Sequence, residues 1–288
     1  MSSRAAARAR KNGVALKPPP ASGSGALRLA PLLALIPFAL ALAVYLVASH
    51  LRIEENPQDK LLPSLTRMAE AFDRMAFTPD PQSGEYLLWV DTWASLQRIG
   101  IGVGVAALAG LLMGLNMGLL PRFKAVFGNF ITFLSMVPPL AVLPILFISL
   151  GVDELAKVTL IFLGIFPVIA RDILLAVEKI PRQQITKAIT LGASRFAIIY
   201  RIVLPQVMPR LIDNLRLSLG AAWLFLIAAE AIASTEGLGY RIFLVRRYLA
   251  MDVILPYVLW IILLGFLLDW LLRLLVATRY RWYLASQE

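Results

Sequence analysis

The chain is poor in the residues that most enzyme chemistry requires. Among its 288 residues there is no cysteine and one histidine, and only 16% are charged. The absence of cysteine excludes disulfides, a thiol nucleophile and thiolate metal ligation. His50 closes the first apolar run, where an amphipathic ring at a membrane interface is a simpler interpretation than a ligand or a proton relay.

Sites for nucleotide or bond-breaking chemistry are also missing from the sequence. It contains no GxxxxGK[ST] phosphate loop, so ATP cannot be held in the usual way. It also lacks a paired-carboxylate, Ser/His/Asp or metal-ligand constellation. We therefore expect a chain that is not an enzyme, with no catalytic residue, no metal and no cofactor of its own.

Apolar residues dominate what is present. They make up 59% of the chain, and the mean hydropathy is +0.75. A helix needs roughly 18 to 20 apolar residues to cross a bilayer, and strands of alternating polarity are not seen. The sequence predicts an all-α polytopic membrane protein with six transmembrane helices, at about 31–49, 95–120, 125–149, 155–177, 209–232 and 254–277.

The basic and acidic residues are divided between the two predicted sides of the membrane and are not clustered into a nucleic-acid-binding patch. The net charge is +10, and six of the 28 basic residues lie in the first 30 residues, where there is no acid. Residues 50–92 instead hold eight acids against four bases. The positive-inside rule then predicts that both termini and the loop 178–210 are cytosolic, with 50–92 outside. Arg241, Arg246 and Arg247 break this pattern in the predicted outer connection 233–253, for which a re-entrant or protein-covered loop is our interpretation.

The predicted organisation has five parts. An amphipathic helix is expected in "LPSLTRMAEAFDRMAF", where Ser64 caps a face of Leu65, Met68, Phe72 and Met75. The parts are a disordered basic cytosolic tail (1–28), a first transmembrane helix (29–50), an outer segment with this amphipathic helix (51–93), a core with five transmembrane helices and the loop 178–210 (94–280), and a cytosolic tail (281–288).

Two spans carry unusual residue patterns. Gly110, Gly114 and Gly118 form a small-residue stripe that predicts close helix packing, although glycine is also simply common in membrane helices. Pro138, Pro139 and Pro144 remove backbone donors and break the third span, which indicates either a pathway wall or a structural kink. Polar, aromatic or helix-breaking residues that could line a pathway are Asn129, Thr132, Ser135, Pro138, Pro139, Ser218, Trp223 and Glu230. Glu230 fits a hydrogen-bonded structural acid and a solute or gate contact equally.

The polar segment "QQITKAITLGASRFAIIYRIVLPQVMPRLI" interrupts the apolar runs. Pro181 begins a helix and Gly192 ends it in the left-handed conformation. Ser194 caps a second helix, "RFAIIYRIV", which is expected to end at Leu204 because Pro205 follows. Two short helices joined by a sharp turn would fit a groove on a soluble partner.

Spacing in this segment resembles the cytoplasmic loop signature of binding-protein-dependent ABC importer permeases. That signature is Glu-Ala-Ala, three residues, Gly, nine residues, Ile-x-Leu-Pro; here Ala188, Gly192 and the run "IVLP" match it, whereas Thr186 replaces the Glu and Lys187 the first Ala. The segments "LLPSLTRMAEAF", "AWLFLIAAEAIASTEGLGYRI" and "LLGFLLDWLLRLL" extend the resemblance over roughly residues 60–280. They are similar to the nitrate, sulfonate, taurine and bicarbonate branch of the family.

The resemblance implies a type I importer permease (MetI-like) fold in a bacterial plasma (inner) membrane, forming the pathway for a small solute. It implies cytosolic ABC ATPase subunits that bind ATP with Mg²⁺, an extracytoplasmic solute-binding protein, and a homodimer of this chain. The ATPase-coupling loop would comprise Thr186, Lys187, Ala188, Gly192, Ala193, Ser194, Arg195, Phe196, Ile202, Leu204 and Pro205.

An ion-coupled secondary transporter is the alternative, and it would need ionisable groups deep in the spans. Arg171 with Asp172, Asp213 with Arg216, and Asp269 with Arg273 read instead as neighbouring ion pairs near the inner ends. A non-transporting anchor or receptor would explain neither the broken third span nor the loop signature.

Overall fold

The computed structural model describes residues 24–56 and 59–285. Within those ranges all regular structure is helical, and the chain divides between residues 58 and 59 into two compact units. In the described part of the chain, five helices are long and apolar enough to cross a membrane, or six if one bent pair counts as a span. An all-α polytopic membrane protein is therefore confirmed.

The first unit contains helix α1, Ser24–Glu55. Most of the predicted disordered tail lies outside the described residues, but residues 24–28 belong to α1, so the prediction was wrong for them. The helix continues past the predicted boundary at 50 to Glu55, and His50 Nε2 lies 3.3 Å from Glu54 Oε1 one turn on.

The second unit begins with the amphipathic helix α2, Leu65–Phe77. Ser64 caps it as predicted, because its Oγ accepts a hydrogen bond of 3.3 Å from the backbone N–H of Arg67. Phe72 packs against the indole of Trp260, with ring centroids 5.9 Å apart. Leu65 is exposed, so the buried face is narrower than the predicted one.

Four long helices form the bundle: α3 (Leu87–Leu119), α6 (Glu154–Glu178), α9 (Leu204–Ile232) and α11 (Met251–Arg279). At about 1.5 Å per residue, each is long enough to cross a ~30 Å hydrocarbon core. The core lies where α3, α6 and α9 meet, with fully buried Leu160, Ile169 and Leu226.

Helices α3 and α6 approach closely because glycines of α3 face branched side chains of α6. A Cβ added to Gly110, Gly114 or Gly118 would lie 2.6 Å from side-chain carbons of Ile169, Ile173 and Val177 respectively. Both sets recur every fourth residue, so each row runs along one face of its helix. The glycine stripe therefore packs within the chain.

The third span is broken into α4 (Pro121–Leu134) and α5 (Pro139–Leu150), whose axes differ by 96°. Pro138 adopts an extended backbone, with ψ 115°, because the Pro139 ring that follows disfavours the helical region. The break thus follows directly from the Pro–Pro pair. The prediction that Pro144 also breaks the helix is wrong, because Pro144 lies inside α5.

Short helices occupy the two ends of the bundle. At one end, which we call the α7 end, lie α7 (Arg182–Thr190), α8 (Arg195–Ile198) and α12 (Arg281–Ala285). At the other, the α10 end, lies α10 (Leu238–Arg246).

The prediction that the helix after Ser194 ends at Leu204 is wrong. Helix α8 passes through a π-turn, Ile199–Val203, directly into α9, and the run is helical from Arg195 to Ile232. The backbone N–H of Leu204 bonds the carbonyl of Ile199, five residues back. This wider turn makes room for the Pro205 ring, which would otherwise collide with the preceding turn.

Candidate functional site

The α7–α8 connection is a tight, fully bonded helix end. Gly192 has φ 80°, the left-handed conformation that the sequence predicts. Its N–H donates to the Ile189 carbonyl at 2.9 Å, and the N–H of Ala193 donates to the Ala188 carbonyl at 3.0 Å. These two bonds are the Schellman motif. Ser194 then caps α8 by accepting from the N–H of Ala197 at 3.2 Å.

Large apolar side chains of this connection point outward. Leu191 is 87% exposed, Phe196 77% and Tyr200 64%, and the rings of Phe196 and Tyr200 lie parallel with centroids 6.4 Å apart. Exposed aromatic and aliphatic groups of this size are typical of a protein-binding surface. We call the segment Arg182–Val203 the α7–α8 knob.

The other predicted loop residues divide into exposed and anchoring positions. Thr186, Lys187, Arg195 and Pro205 are exposed, whereas Ala188, Ala193, Ile202 and Leu204 are half-buried. Sequence reasoning missed the deepest anchors, Ile198 and Val203, which are buried in the core cluster. Their apolar spacing within "RFAIIYRIV" was the available signal.

The predicted pathway residues lie in two regions of the chain. Thr132, Ser135, Pro138 and Pro139 lie together at the α4–α5 break, and Asn129 is exposed one turn earlier on α4. Ser218, Trp223 and Glu230 are spread along α9 over about 18 Å, at about 1.5 Å per residue.

On α9, Ser218 donates to Asn214 Oδ1 at 3.2 Å, and buried Trp223 faces Gly265 of α11.

Glu230 is at the centre of a buried polar cluster at the α10 end. Its carboxylate accepts hydrogen bonds from Ser95 Oγ at 2.8 Å, Arg98 Nη1 at 2.7 Å and the N–H of Gly239 at 2.8 Å. Glu230 and Arg98 are 0% and 3% exposed. The acceptor positions of this buried carboxylate are therefore occupied by donors of the protein itself.

Arg98 also connects this polar cluster to a third helix, α6. Arg98 also binds Glu154 of α6, with Nη2 2.8 Å from Oε1, and Lys157 Nζ lies 2.8 Å from the same oxygen. Neither Arg98 nor Lys157 was identified from sequence, although a base inside an apolar run requires an acid partner.

Asp91 explains one arginine in the predicted outer loop. It is fully buried and accepts from Arg241 Nε at 2.8 Å, from Tyr257 Oη at 3.1 Å and from the N–H of Gly237 at 2.9 Å. Burial opposes the charge on Arg241, but the hydrogen bond to Asp91 and its negative charge prevail, so the pKa of the guanidinium is raised. The loop is thus protein-covered at Arg241, whereas Arg246 and Arg247 are exposed.

In the half of the bundle nearer the α7 end, one predicted neighbour pair is wrong. Asp172 binds Arg210 of α9, with Oδ1 2.7 Å from Nη2, rather than the adjacent Arg171. Asp269 binds both Arg273, as predicted, and Arg216. Adjacent helical residues point in different directions, which is why pairing across helices prevails.

A bundle of membrane-spanning helices with a broken span and an exposed knob at one end defines a polytopic transport subunit. Residues 106–279 match the family model described as "Binding-protein-dependent transport system inner membrane component", and the chain belongs to this family.

Two curated relatives agree with this membership. The taurine transport system permease protein TauC of Escherichia coli is 37% identical over 196 residues, covering 68% of this chain and 71% of its own. The bicarbonate transport system permease protein CmpB of Synechococcus elongatus is 32% identical over 194 residues, covering 65% and 69%.

A solved structure shares the fold. A chain of the MetNI methionine ABC transporter in inward-facing conformations aligns with a TM-score of 0.50 and 20% identity, covering 67% of this chain and 98% of its own. This protein is therefore the permease subunit of an ABC importer, a multi-pass inner-membrane protein of the type I fold. Its family implies ATPase and binding-protein partners.

Proposed function

We propose that two copies of this chain form the translocation pathway for a small solute, which a binding protein delivers at the α10 end and two ATPase subunits drive from the α7 end. Both termini and residues 178–210 are then cytosolic, and residues 51–93 face outward. ATP and Mg²⁺ bind to the separate ATPase chains, and this chain catalyses no reaction.

The α7–α8 knob is the observation that carries the proposal. Its exposed Leu191, Phe196 and Tyr200 are too apolar for a free cytosolic surface, and the helices beneath them are fixed by a Schellman turn and a Ser194 cap. A rigid apolar knob inserted into a groove can transmit movement of an ATPase to the spans. The continuous helix from Arg195 to Ile232 supplies a direct mechanical connection.

The number of spans supports a homodimer. Five or six spans make half of a pathway in the importers that the chain resembles, and the sequence has no internal repeat that could supply the other half. Purification as a stable monomer with active ATPases attached would contradict this assembly.

The relatives' names support a cargo of low molecular weight. Taurine and bicarbonate are small and carry an anionic group, so we propose a nitrate-, sulfonate-, taurine- or bicarbonate-like solute or a small nitrogen compound. Coupling to an ion gradient is less well supported, because Glu230, the deep acid considered for it, is held by Ser95, Arg98 and Gly239.

Gly192→Val tests the proposal in proteoliposomes that contain the permease with its ATPase and binding protein. A β-branched residue at φ 80° strains the backbone by about 1–3 kcal/mol or reorients α8. We expect normal insertion and dimer formation, with loss of uptake and of solute-stimulated ATP hydrolysis. Gly192→Asn should retain both activities, because asparagine tolerates the left-handed region.

Gly84→Val is the matched control. Gly84 also has positive φ, 72°, and a Cβ there meets no atom within 4 Å, as at Gly192, but it lies in the turn before α3. The same strain at a site remote from the ATPase should leave uptake unchanged. Wild-type transport by Gly192→Val at equal abundance would end the coupling assignment.

A further inference from the structure

Arg171 differs from the other basic residues well inside the spans. In the described chain these others each lie within ion-pair distance of a carboxylate: Arg98, Lys157, Arg210, Arg216 and Arg273. No such pair includes Arg171 among residues 24–56 and 59–285. Its Nη1 instead donates to Ser135 Oγ at 3.0 Å, across the gap between α6 and the end of α4.

The guanidinium lies deep along both helices. The ion pair of Lys124 with Glu178 marks the α7 end of α4 and α6. Arg171 is seven residues before Glu178, about 10 Å along α6, and Ser135 is eleven residues after Lys124, about 16 Å along α4. Helical side chains lean towards the amino terminus, which here directs Arg171 further from the α7 end.

Such a charge requires water or protein around it. Arg171 is exposed in the isolated chain, although α6 crosses the membrane. A charged side chain facing hydrocarbon at this depth is costly, and ionisable groups inside membrane proteins face the bundle interior or a water-filled cavity. The α4–α5 break beside Ser135 is backbone of the kind that is tolerated where it lines a cavity.

Ser135 fixes the arginine without neutralising it. The Ser135 hydroxyl donates to the Thr132 carbonyl at 2.7 Å and so presents a lone pair to Arg171. A guanidinium has five N–H donors in a planar fork. One contact to a neutral hydroxyl leaves most of the donors and the full positive charge available to a carboxylate, sulfonate or similar oxyanion.

We infer that Arg171, positioned by Ser135 at the α4–α5 break, is a contact for the anionic group of the cargo in the half of the pathway nearer the α7 end. The inference rests on the proposed function for the identity of the cargo, and it narrows the cargo to a small anion or a zwitterion with an anionic group. A lipid phosphate has the same oxyanion chemistry, and the test separates the two.

The test uses the natural absence of cysteine. Ser135→Cys is placed in the full-length permease, assembled with its ATPases in proteoliposomes. Its modification rates are measured with anionic sulfonatoethyl and cationic trimethylammonioethyl methanethiosulfonate. At about 6 Å in a water-filled site a unit charge changes each rate about threefold in opposite directions, so Arg171→Gln should lower the anion-to-cation rate ratio about tenfold.

Arg122→Gln is the charge-matched control, since Arg122 is exposed at the start of α4, about 20 Å from Ser135 along the helix. It should leave the ratio unchanged. The measurement is repeated in vesicles with and without phosphatidylglycerol. A response to Arg171→Gln that requires the anionic lipid would assign the arginine to a headgroup and overturn the inference, as would a ratio that does not respond or a thiol that neither reagent reaches.

Uptake of labelled taurine is measured in parallel with the wild-type serine at position 135. Arg171→Gln should slow it at least tenfold, and Arg171→Lys should retain part of the rate. If uptake is ATP-driven but the labelling ratio does not respond to Arg171→Gln, the anion contact is refuted and the permease function stands. If the ratio responds but no small anion is taken up with ATP, the proposed function alone is refuted.

Discussion

Replacing Gly114 with alanine should force α3 away from α6. The added Cβ would lie 2.6 Å from the Cβ of Ile173 and 2.7 Å from the carbonyl oxygen of Ala170. Carbon atoms pack best at about 3.5–4.0 Å, so the helices must separate by about 1 Å or the Ile173 backbone must shift. Overpacking of this kind costs about 1–3 kcal/mol.

Gly104→Ala provides a control on the same helix. Among residues 24–56 and 59–285, no atom beyond the backbone of its own helix lies within 4 Å of a Cβ added at Gly104, so the change only adds a better helix former. It should stabilise the chain by about 0.5–1 kcal/mol, because glycine loses more backbone entropy in a helix than alanine does. The two variants should therefore change the free energy of unfolding in opposite directions.

Reversible unfolding in mixed micelles, followed by circular dichroism, measures this difference. We expect Gly114→Ala to be about 1–3 kcal/mol less stable than Gly104→Ala, because both variants gain the helix propensity of alanine and only Gly114→Ala is overpacked. Equal stabilities would refute the close packing of α3 on α6. Gly114→Ser carries the same Cβ and should be at least as destabilised as Gly114→Ala. A free energy of unfolding between those of the wild type and Gly114→Ala would be inconsistent with a purely steric origin.

Three further predictions concern the two ends of the bundle. Arg98→Met leaves the Glu230 carboxylate buried without its main counter-charge and should destabilise the chain by about 3–5 kcal/mol. The double variant Arg98→Met with Glu230→Leu should recover much of that loss in a double-mutant cycle. Additive effects of the two substitutions would contradict the ion pair. Ser83→Cys should react with impermeant thiol reagents from the outside, and labelling from the cytosolic side alone would invert the proposed orientation. Phe196→Ala should lower co-purification of the ATPase without changing solute preference, while Thr186→Glu, on an exposed position, should transport normally; the opposite pattern would place the ATPase contact elsewhere.

The hydropathy of the chain and its helix-breaking residues predicted most of the fold. Long apolar runs define the spans because a bilayer permits few alternatives to helix, and the Pro138–Pro139 pair predicts the break through local sterics alone. The end of the second helix of the knob was missed because Pro205 is compatible with a π-turn, and the choice between stopping and widening depends on the span that follows.

The candidate site was less accessible from sequence. Gly192 and Ser194 act through bonds to residues within five positions, so their roles are visible locally. Asp91 and Arg241 are 150 positions apart, and the sequence showed only an acid in an acidic segment and an arginine on an unexpected side. Helix packing decides which charged side chains pair. Asp172, for example, was predicted to pair with Arg171 but binds Arg210 of another helix.

The regular spacing of α3 against α6 limits how the transporter can move. Three glycines spaced four residues apart each face a branched side chain of α6. If α3 slid along α6, the same pairing of glycines with branched side chains would recur only after four residues, about 6 Å along the helix. Sliding by a smaller step would drive Ile173 into the backbone of α3 between glycines. We therefore expect the α3–α6 pair to move as one rigid unit, with relative movement concentrated outside it, at the 96° break between α4 and α5.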